Sequence, residues 1–318
     1  VGADAILLCG PTASGKSALA LELARSLAAE RPVEIVSVDS AQVYRGLDIG
    51  SAKPSREIRS QVPHHLIDLR APHETYSAGE FVRDALAAIR DIRLRGGVPL
   101  LVGGTMLYFN ALLRGMASLP PADPALRARL DARGTAVGWP ALHAELAAVD
   151  PVAAARIHPN DPQRIQRALE VHLLSGRPIS DWQRDTRPAH GLVFERWALL
   201  PIDRTALHAR IGARFEAMMQ EGFLEEVRGL RTRRDLPASS PSLRAVGYRQ
   251  LWEYLEGPPS VEGLARAVAR AVAATRQLAK RQMTWIKAEA GWQRIDPYDA
   301  GALRDGLTAL QTVCRRFG

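Results

Sequence analysis

Cysteine is nearly missing from this 318-residue chain: Cys9 and Cys314 are the only two, far apart and with no C-x-x-C spacing. That excludes a disulfide scaffold and a zinc knuckle, and it fits a reducing, cytoplasmic compartment. No apolar run approaches the length of a membrane span, and the first residues show no signal-peptide pattern, so no membrane association is expected. Internal repeats and low-complexity tracts are absent too, which leaves no repeat architecture to consider. What is present has a globular balance, 47% hydrophobic and 24% charged, on a chain long enough to bury a sizeable core in one large domain or two ordinary ones. Forty-two Lys and Arg against 34 Asp and Glu give a net charge of +8. A basic balance favours anionic partners such as nucleic acid or phosphate esters, although it also serves solubility alone.

The first hundred residues alternate strand and helix. Ala5 to Cys9 is a continuous apolar run, and Leu19, Leu23 and Leu27 then fall on one helical face. Val33 to Val38 reads as a second strand ending at Asp39, and Val98 to Val102 as a third ending in Gly103-Gly104-Thr105. Ser77-Ala-Gly-Glu80 matches a capping box, followed by the stripe Val82, Ala85, Leu86, Ile89. Fully apolar strands alternating with helices predict an α/β fold, a parallel sheet covered on both faces. From Leu119-Pro120-Pro121 to about Arg187 the periodicity is helical and interrupted by prolines. The expected organisation is a core of residues 1–119 and 193–318, with a mostly helical insertion at 120–192. Val193 to Leu200 returns to the sheet, and helices follow, one carrying Leu207, Ile211, Phe215 and Met219 on a single face.

Gly10-Pro11-Thr12-Ala13-Ser14-Gly15-Lys16-Ser17 matches G-x-x-x-x-G-K-[ST], preceded by a strand and followed by a helix. Its glycines let backbone N–H groups converge on phosphate oxygens, Lys16 adds a point charge, and Ser17 is a candidate Mg²⁺ ligand at the positive end of a helix. A hydrolysing enzyme of this type carries an acidic residue at the end of a later apolar strand. Here Val98 to Val102 ends without one, and the strand-end carboxylate is Asp39. In such sheets the strand C-termini all face the ligand crevice, so Asp39 and Thr105 should both look at the bound phosphate. That suits group transfer, with Asp39 as base for the acceptor and Thr105 as a hydrogen bond to the phosphates; a helix cap or turn residue at 39 would look the same.

The helix expected from Val261 to Lys287 points to nucleic acid. At 100° per residue, Arg266, Arg270, Arg276, Lys280, Arg281 and Lys287 share an arc of roughly 140°. Val261, Leu264, Val268, Val272, Leu278 and Ile286 lie opposite. One face packs while the other offers a basic stripe to a phosphate backbone, or is simply solvated.

Seven blocks in order resemble the tRNA dimethylallyltransferase family: Gly10 to Ser17, Asp39-Ser40-Ala41-Gln42 through Gly50, Pro63 to Asp68, Gly103 to Tyr108, Gln163-Arg164-Ile165-Gln166-Arg167 through Glu170, Val246 to Gln250, and Arg281-Gln282-Met283-Thr284-Trp285. The resemblance runs from residue 10 to residue 285. It implies a P-loop NTPase-like sheet with an inserted helical domain that clasps the anticodon stem-loop. The reaction implied moves a dimethylallyl group from dimethylallyl diphosphate, with Mg²⁺, to the exocyclic amine of the tRNA adenosine beside the anticodon. Gly10, Thr12, Ala13, Ser14, Gly15, Lys16 and Ser17 would hold the diphosphate, helped by Arg167. Asp39 would be the base, and Thr105 would lie against the bridging oxygen of the leaving group. Contacts to tRNA would come from Ser40, Ala41, Gln42, Arg127, Gln163, Arg164, Arg244 and Arg249, with Lys280 and Arg281 of the basic stripe. Some relatives carry a C-terminal zinc-finger extension that this sequence lacks, as expected of the compact bacterial form, and a monomer is the default. His64 and His65 match a block but are given no chemistry. Two other readings share the cradle: a small-molecule kinase using ATP, and a prenyltransferase acting on free adenine nucleotides. A non-catalytic RNA-binding protein with a vestigial P-loop would not need Lys16, Ser17, Asp39 and Thr105 intact.

Overall fold

The central strands of the sheet are predominantly apolar and need cover on both faces. The computed structural model of the chain describes residues 2–184, 186–188 and 190–317. The chain divides into two compact units, one formed by Val1–Phe109 and Gly191–Gly318, the other by Asn110–His190.

The first unit opens with β1 (Ala5–Cys9), α1 (Lys16–Ser26), β2 (Val33–Val38), α2 (Arg56–Gln61), β3 (His64–His65), α3 (Ala78–Leu94) and β4 (Val98–Gly103). Every residue of β1, β2 and β4 is buried, including Glu34 and Ser37, the polar residues of β2, which are held by Arg95 and His65 and by Gln42 respectively. Six parallel strands stand in the order β3-β2-β4-β1-β5-β6, where β5 is Phe194–Leu199 and β6 is Gln293–Ile295. Leu19, Leu23 and Leu27 pack with Ile6, Leu8, Leu100, Leu310 and Cys314 on one side of the sheet. Helix α3 begins with the expected capping box: the Ser77 hydroxyl accepts from Glu80 N–H at 3.2 Å, and Ser77 N–H donates to the Glu80 carboxylate at 2.8 Å.

Helix α4 (Met106–Arg114) carries the chain out of the first unit. The second unit holds α5 (Pro124–Val137), α6 (Trp139–Val149), α7 (Pro151–Ala154), α8 (Pro162–Ser175) and α9 (Ile179–Arg184) around Leu130, Leu142, Leu146, Ile165 and Val171. Prolines sit at the first or second position of α5, α6, α7 and α8, where the missing N–H is not needed, so they start helices here and break none. Glu170 is wholly buried on α8. Arg127 holds it with two bonds at 2.9 and 3.0 Å, Arg167 with one at 2.5 Å, and Asp123 N–H with another at 2.9 Å. Burial pushes its carboxyl pKa up, but the hydrogen bonds from Arg127, Arg167 and Asp123 outweigh that, and the net shift is downward. Glu170→Ala should therefore lower stability by about 3 kcal/mol, the low end for a broken buried pair because both guanidiniums reach solvent. Urea unfolding at pH 7 measures this. The wild-type advantage is present above the ordinary glutamate range and should fade as pH falls through the lowered value.

After β5 come α10 (Arg204–Gln220), α11 (Phe223–Arg231), a 3₁₀ turn at Pro241–Arg244, α12 (Tyr248–Tyr254), α13 (Val261–Ala288), then β6 and α14 (Ala300–Arg315). The expected faces shift slightly. Met218, not Met219, completes the buried stripe of α10. Val261, expected on the packed side of α13, is 88% exposed at the helix's first position, and the buried side is Ala267, Ala271, Ala279, Gln282, Met283 and Ile286. Among the described residues no helix is long and apolar enough to cross a membrane.

Candidate active site

Because β2, β4 and β1 are adjacent and parallel, their C-terminal ends lie side by side. Three loops leave from there: Gly10 to Gly15 after β1, Asp39 to Gln42 after β2, and Gly104-Thr105 after β4.

The first loop is a cradle of unused donors. Ala13 and Gly15 take positive φ, 63° and 91°, which curls the chain, and Ser14 N–H closes a turn on Pro11 O at 3.3 Å. Helix α1 starts without a side-chain cap, and the N–H groups of Ala13, Gly15, Lys16 and Ser17 donate to no atom among the described residues. The Ser14 hydroxyl is buried and also unpartnered. Unpartnered donors at a helix N-terminus, the buried Ser14 hydroxyl among them, call for an anion. A Cβ on residue 10 would stand 2.8 Å from Ser14 Oγ and 3.1 Å from Leu199 O, so this close approach requires glycine.

Two cations face this cradle. Lys16 Nζ donates to Pro11 O at 3.3 Å, and Arg214, from α10, donates to the Thr12 hydroxyl at 3.2 Å. Burial first and the Arg214 charge second hold the Lys16 ammonium down to about 8, while Asp39 pulls it upward. Burial lowers Arg214 as well, again opposed by Asp39. Two half-buried cations against one nearby carboxylate leave positive charge in excess, which a diphosphate would neutralise.

Asp39 is oriented by its own turn. Its Oδ1 accepts from Ala41 N–H at 2.8 Å and Gln42 N–H at 3.4 Å, and its Oδ2 has no partner among the described residues. The Thr105 hydroxyl accepts from Ser40 N–H at 3.1 Å and donates to Ser40 Oγ at 3.4 Å, so the ends of β2 and β4 are tied at the centre of the site. Gln42 turns inward: its carbonyl accepts from Ser37 Oγ, and its amino group donates to Ser51 O and Ala52 O. The loop beyond is pinned by Glu226, which accepts from the N–H groups of Asp48, Ile49 and Gly50 and from the Tyr248 hydroxyl.

The remaining candidates are distributed as follows. Arg244, Arg249, Lys280 and Arg281 are exposed in the first unit, Arg249 4.0 Å from Glu253. Gln163 and Arg164 are exposed in the first turn of α8, while Arg127 and Arg167 meet on Glu170. His64 Nδ1 bonds Val62 O and His65 Nε2 bonds Glu34, in keeping with structural roles. Arg214 and Gln282, both in contact with the phosphate loop, were given no role by the sequence reading. Gln282 carried a signal, a lone amide between buried apolar neighbours; Arg214 carried little, standing on the flank of an ordinary apolar stripe.

A family model described as IPP transferase matches residues 42–289. The chain is 58% identical over 303 residues to a tRNA dimethylallyltransferase of Paracidovorax citrulli, covering 93% of this chain and 86% of that one. It is 57% identical over 314 residues to the tRNA dimethylallyltransferase of Methylibium petroleiphilum, with 97% and 94% covered. Its structure is similar to the full-length tRNA isopentenylpyrophosphate transferase of Bacillus halodurans, with a TM-score of 0.67, 34% identity, and 97% and 96% of the chains covered. It is also similar to a eukaryotic dimethylallyltransferase crystallised acting on tRNA, with a TM-score of 0.77, 25% identity, and 97% and 77% covered.

Proposed function

Since the chain belongs to the tRNA dimethylallyltransferase family and is, with it, a transferase that prenylates tRNA, we propose that its donor is dimethylallyl diphosphate bound in the Gly10–Ser17 loop. The acceptor is the exocyclic amine of the adenosine adjacent to the anticodon, presented to Asp39. The observation that carries this reading is the shared edge at which Lys16, Arg214, Thr105 and Asp39 converge from neighbouring strands and α10.

The chemistry follows from charge. An aromatic amine is a weak nucleophile, so the barrier falls chiefly through stabilisation of the leaving pyrophosphate. Lys16, Arg214 and the free N–H groups of the loop receive that charge where water is scarce. The Ser17 hydroxyl, at the start of α1, would hold a Mg²⁺ ion brought with the diphosphate, which would add charge neutralisation there. The allylic carbon–oxygen bond breaks, the carbon–nitrogen bond forms, and Asp39 Oδ2 takes the proton from the amine. Thr105, freed from Ser40, donates to the departing oxygen. Gln42 contributes by shaping the turn that aims Asp39, since its own amide is committed to Ser37, Ser51 and Ala52. Arg266, Arg270, Arg276, Lys280, Arg281 and Lys287 are all exposed on α13 and suit a phosphate backbone. The helical unit, with Arg127, Gln163 and Arg164, supplies further tRNA contacts, and the enzyme acts as a cytoplasmic monomer.

Radiolabelled dimethylallyl diphosphate, Mg²⁺ and unmodified tRNA test the reaction. Label is expected in tRNA. Label in free adenine nucleotides, or consumption of ATP instead, would overturn the acceptor or the donor respectively.

The lowered Lys16 gives a pH signature. Above about pH 8 the free enzyme loses this proton, whereas a bound diphosphate favours the charged ammonium. Binding should then take up a proton, and affinity should fall by up to about tenfold per pH unit above that point. Calorimetric titration of pyrophosphate with Mg²⁺ in two buffers of different ionisation enthalpy reads the uptake directly. Lys16→Met should abolish it.

A further inference from the structure

Gln282 is the polar exception on the buried face of α13, set among Ala279, Met283 and Ile286 and only 6% exposed. Both ends of its amide are used. Its Oε1 accepts from Thr12 N–H at 2.9 Å, and its Nε2 donates to Gly104 O at 2.7 Å. The fit is close on the second side: a Cβ on residue 104 would lie 2.5 Å from Nε2. One amide therefore bridges the phosphate loop after β1 and the turn after β4, next to Thr105. Thr12 is held twice, by Gln282 through its backbone and by Arg214 through its hydroxyl.

We propose that Gln282 is a positioning residue for prenyl transfer: it fixes the phosphate loop against the end of β4, so that Arg214, Lys16 and Thr105 meet one leaving group. This role rests on the donor site argued above. By occupying Thr12 N–H, Gln282 also sets where the cradle begins, since phosphate oxygens are received from Ala13 onward.

Two substitutions break the bridge by different routes. Gln282→Met keeps length and packing but offers neither bond; Gln282→Asn keeps the amide but lacks the reach. Both should raise the Kd for pyrophosphate with Mg²⁺ and the KM for dimethylallyl diphosphate about tenfold, the scale of one well-made hydrogen bond. The KM for tRNA should stay within about twofold, because the basic stripe of α13 is untouched. A side chain that merely fills space predicts otherwise, with Met close to wild type and Asn alone impaired, and that pattern overturns the proposal. If Gln282→Met fails to fold, Gln282→Leu, which also keeps bulk and offers neither bond, takes its place: a rise in both KM values together, or in neither, is equally fatal. Should wild-type protein bind no pyrophosphate, the donor site falls and this role with it. Binding by wild type with unchanged binding by both variants removes Gln282 alone.

Discussion

Asp39→Asn is expected to slow prenyl transfer to tRNA by about two to four orders of magnitude, the range for a lost general base. Asparagine retains the oxygen that caps Ala41 and Gln42, so the turn survives, and only the ability to take a proton is lost. Asp39→Ala removes the cap as well and should be at least as slow. The donor site should respond in the opposite sense. Asp39 is the carboxylate whose charge supports both Lys16 and Arg214 in their half-buried positions. Without it the excess of positive charge grows, and pyrophosphate should bind a few-fold more tightly, the scale of a charge about 6 Å away screened as in water. Single-turnover transfer with prebound tRNA, alongside pyrophosphate titration, separates the two. An asparagine variant at wild-type rate would move the proton acceptor elsewhere.

Arg214→Ala should lower kcat by about 10²- to 10³-fold, as removal of one preorganised partner of a developing anion does, and should raise the KM for the prenyl diphosphate. A second consequence distinguishes lost charge from lost packing. The Arg214 charge depresses Lys16, second only to burial. Its removal lets the Lys16 pKa rise, so the decline in pyrophosphate affinity with pH should begin above 8 rather than near it. A variant with the rate defect but an unchanged pH profile would show that Arg214 and Lys16 do not share the same field.

Much of this site was legible because its parts lie on locally coded features. Three buried strands are predominantly apolar, and each is followed at once by candidate residues: Gly10, Asp39 and Gly103-Gly104-Thr105. Given a parallel sheet, their convergence follows from topology. Strands β3 and β6, of two and three residues, carried no such pattern, since edge strands this short exist through their neighbours. Arg214 and Gln282 were hidden for a related reason. They arrive from helices about 200 and 270 residues beyond the loop they touch, and helical periodicity says which face is buried without saying what lies under it. The Val261 error is of the same kind: a hydrophobic residue at the first position of α13 fits the wheel and misses the packing.

The order of the strands also has a consequence for synthesis. Strand β1 pairs on one side with β4, and on the other with β5, where Ile6 meets Glu195. All of Asn110–His190 must leave the ribosome before that second partner exists. At about 5–20 residues per second, the interval is on the order of four to sixteen seconds. During it the nascent sheet presents the open edge of a wholly apolar strand, Ala5–Cys9, the kind of edge that recruits neighbours. The window of greatest danger for this enzyme therefore lies before it is finished, and chaperone demand should track the rate at which the inserted helices are translated.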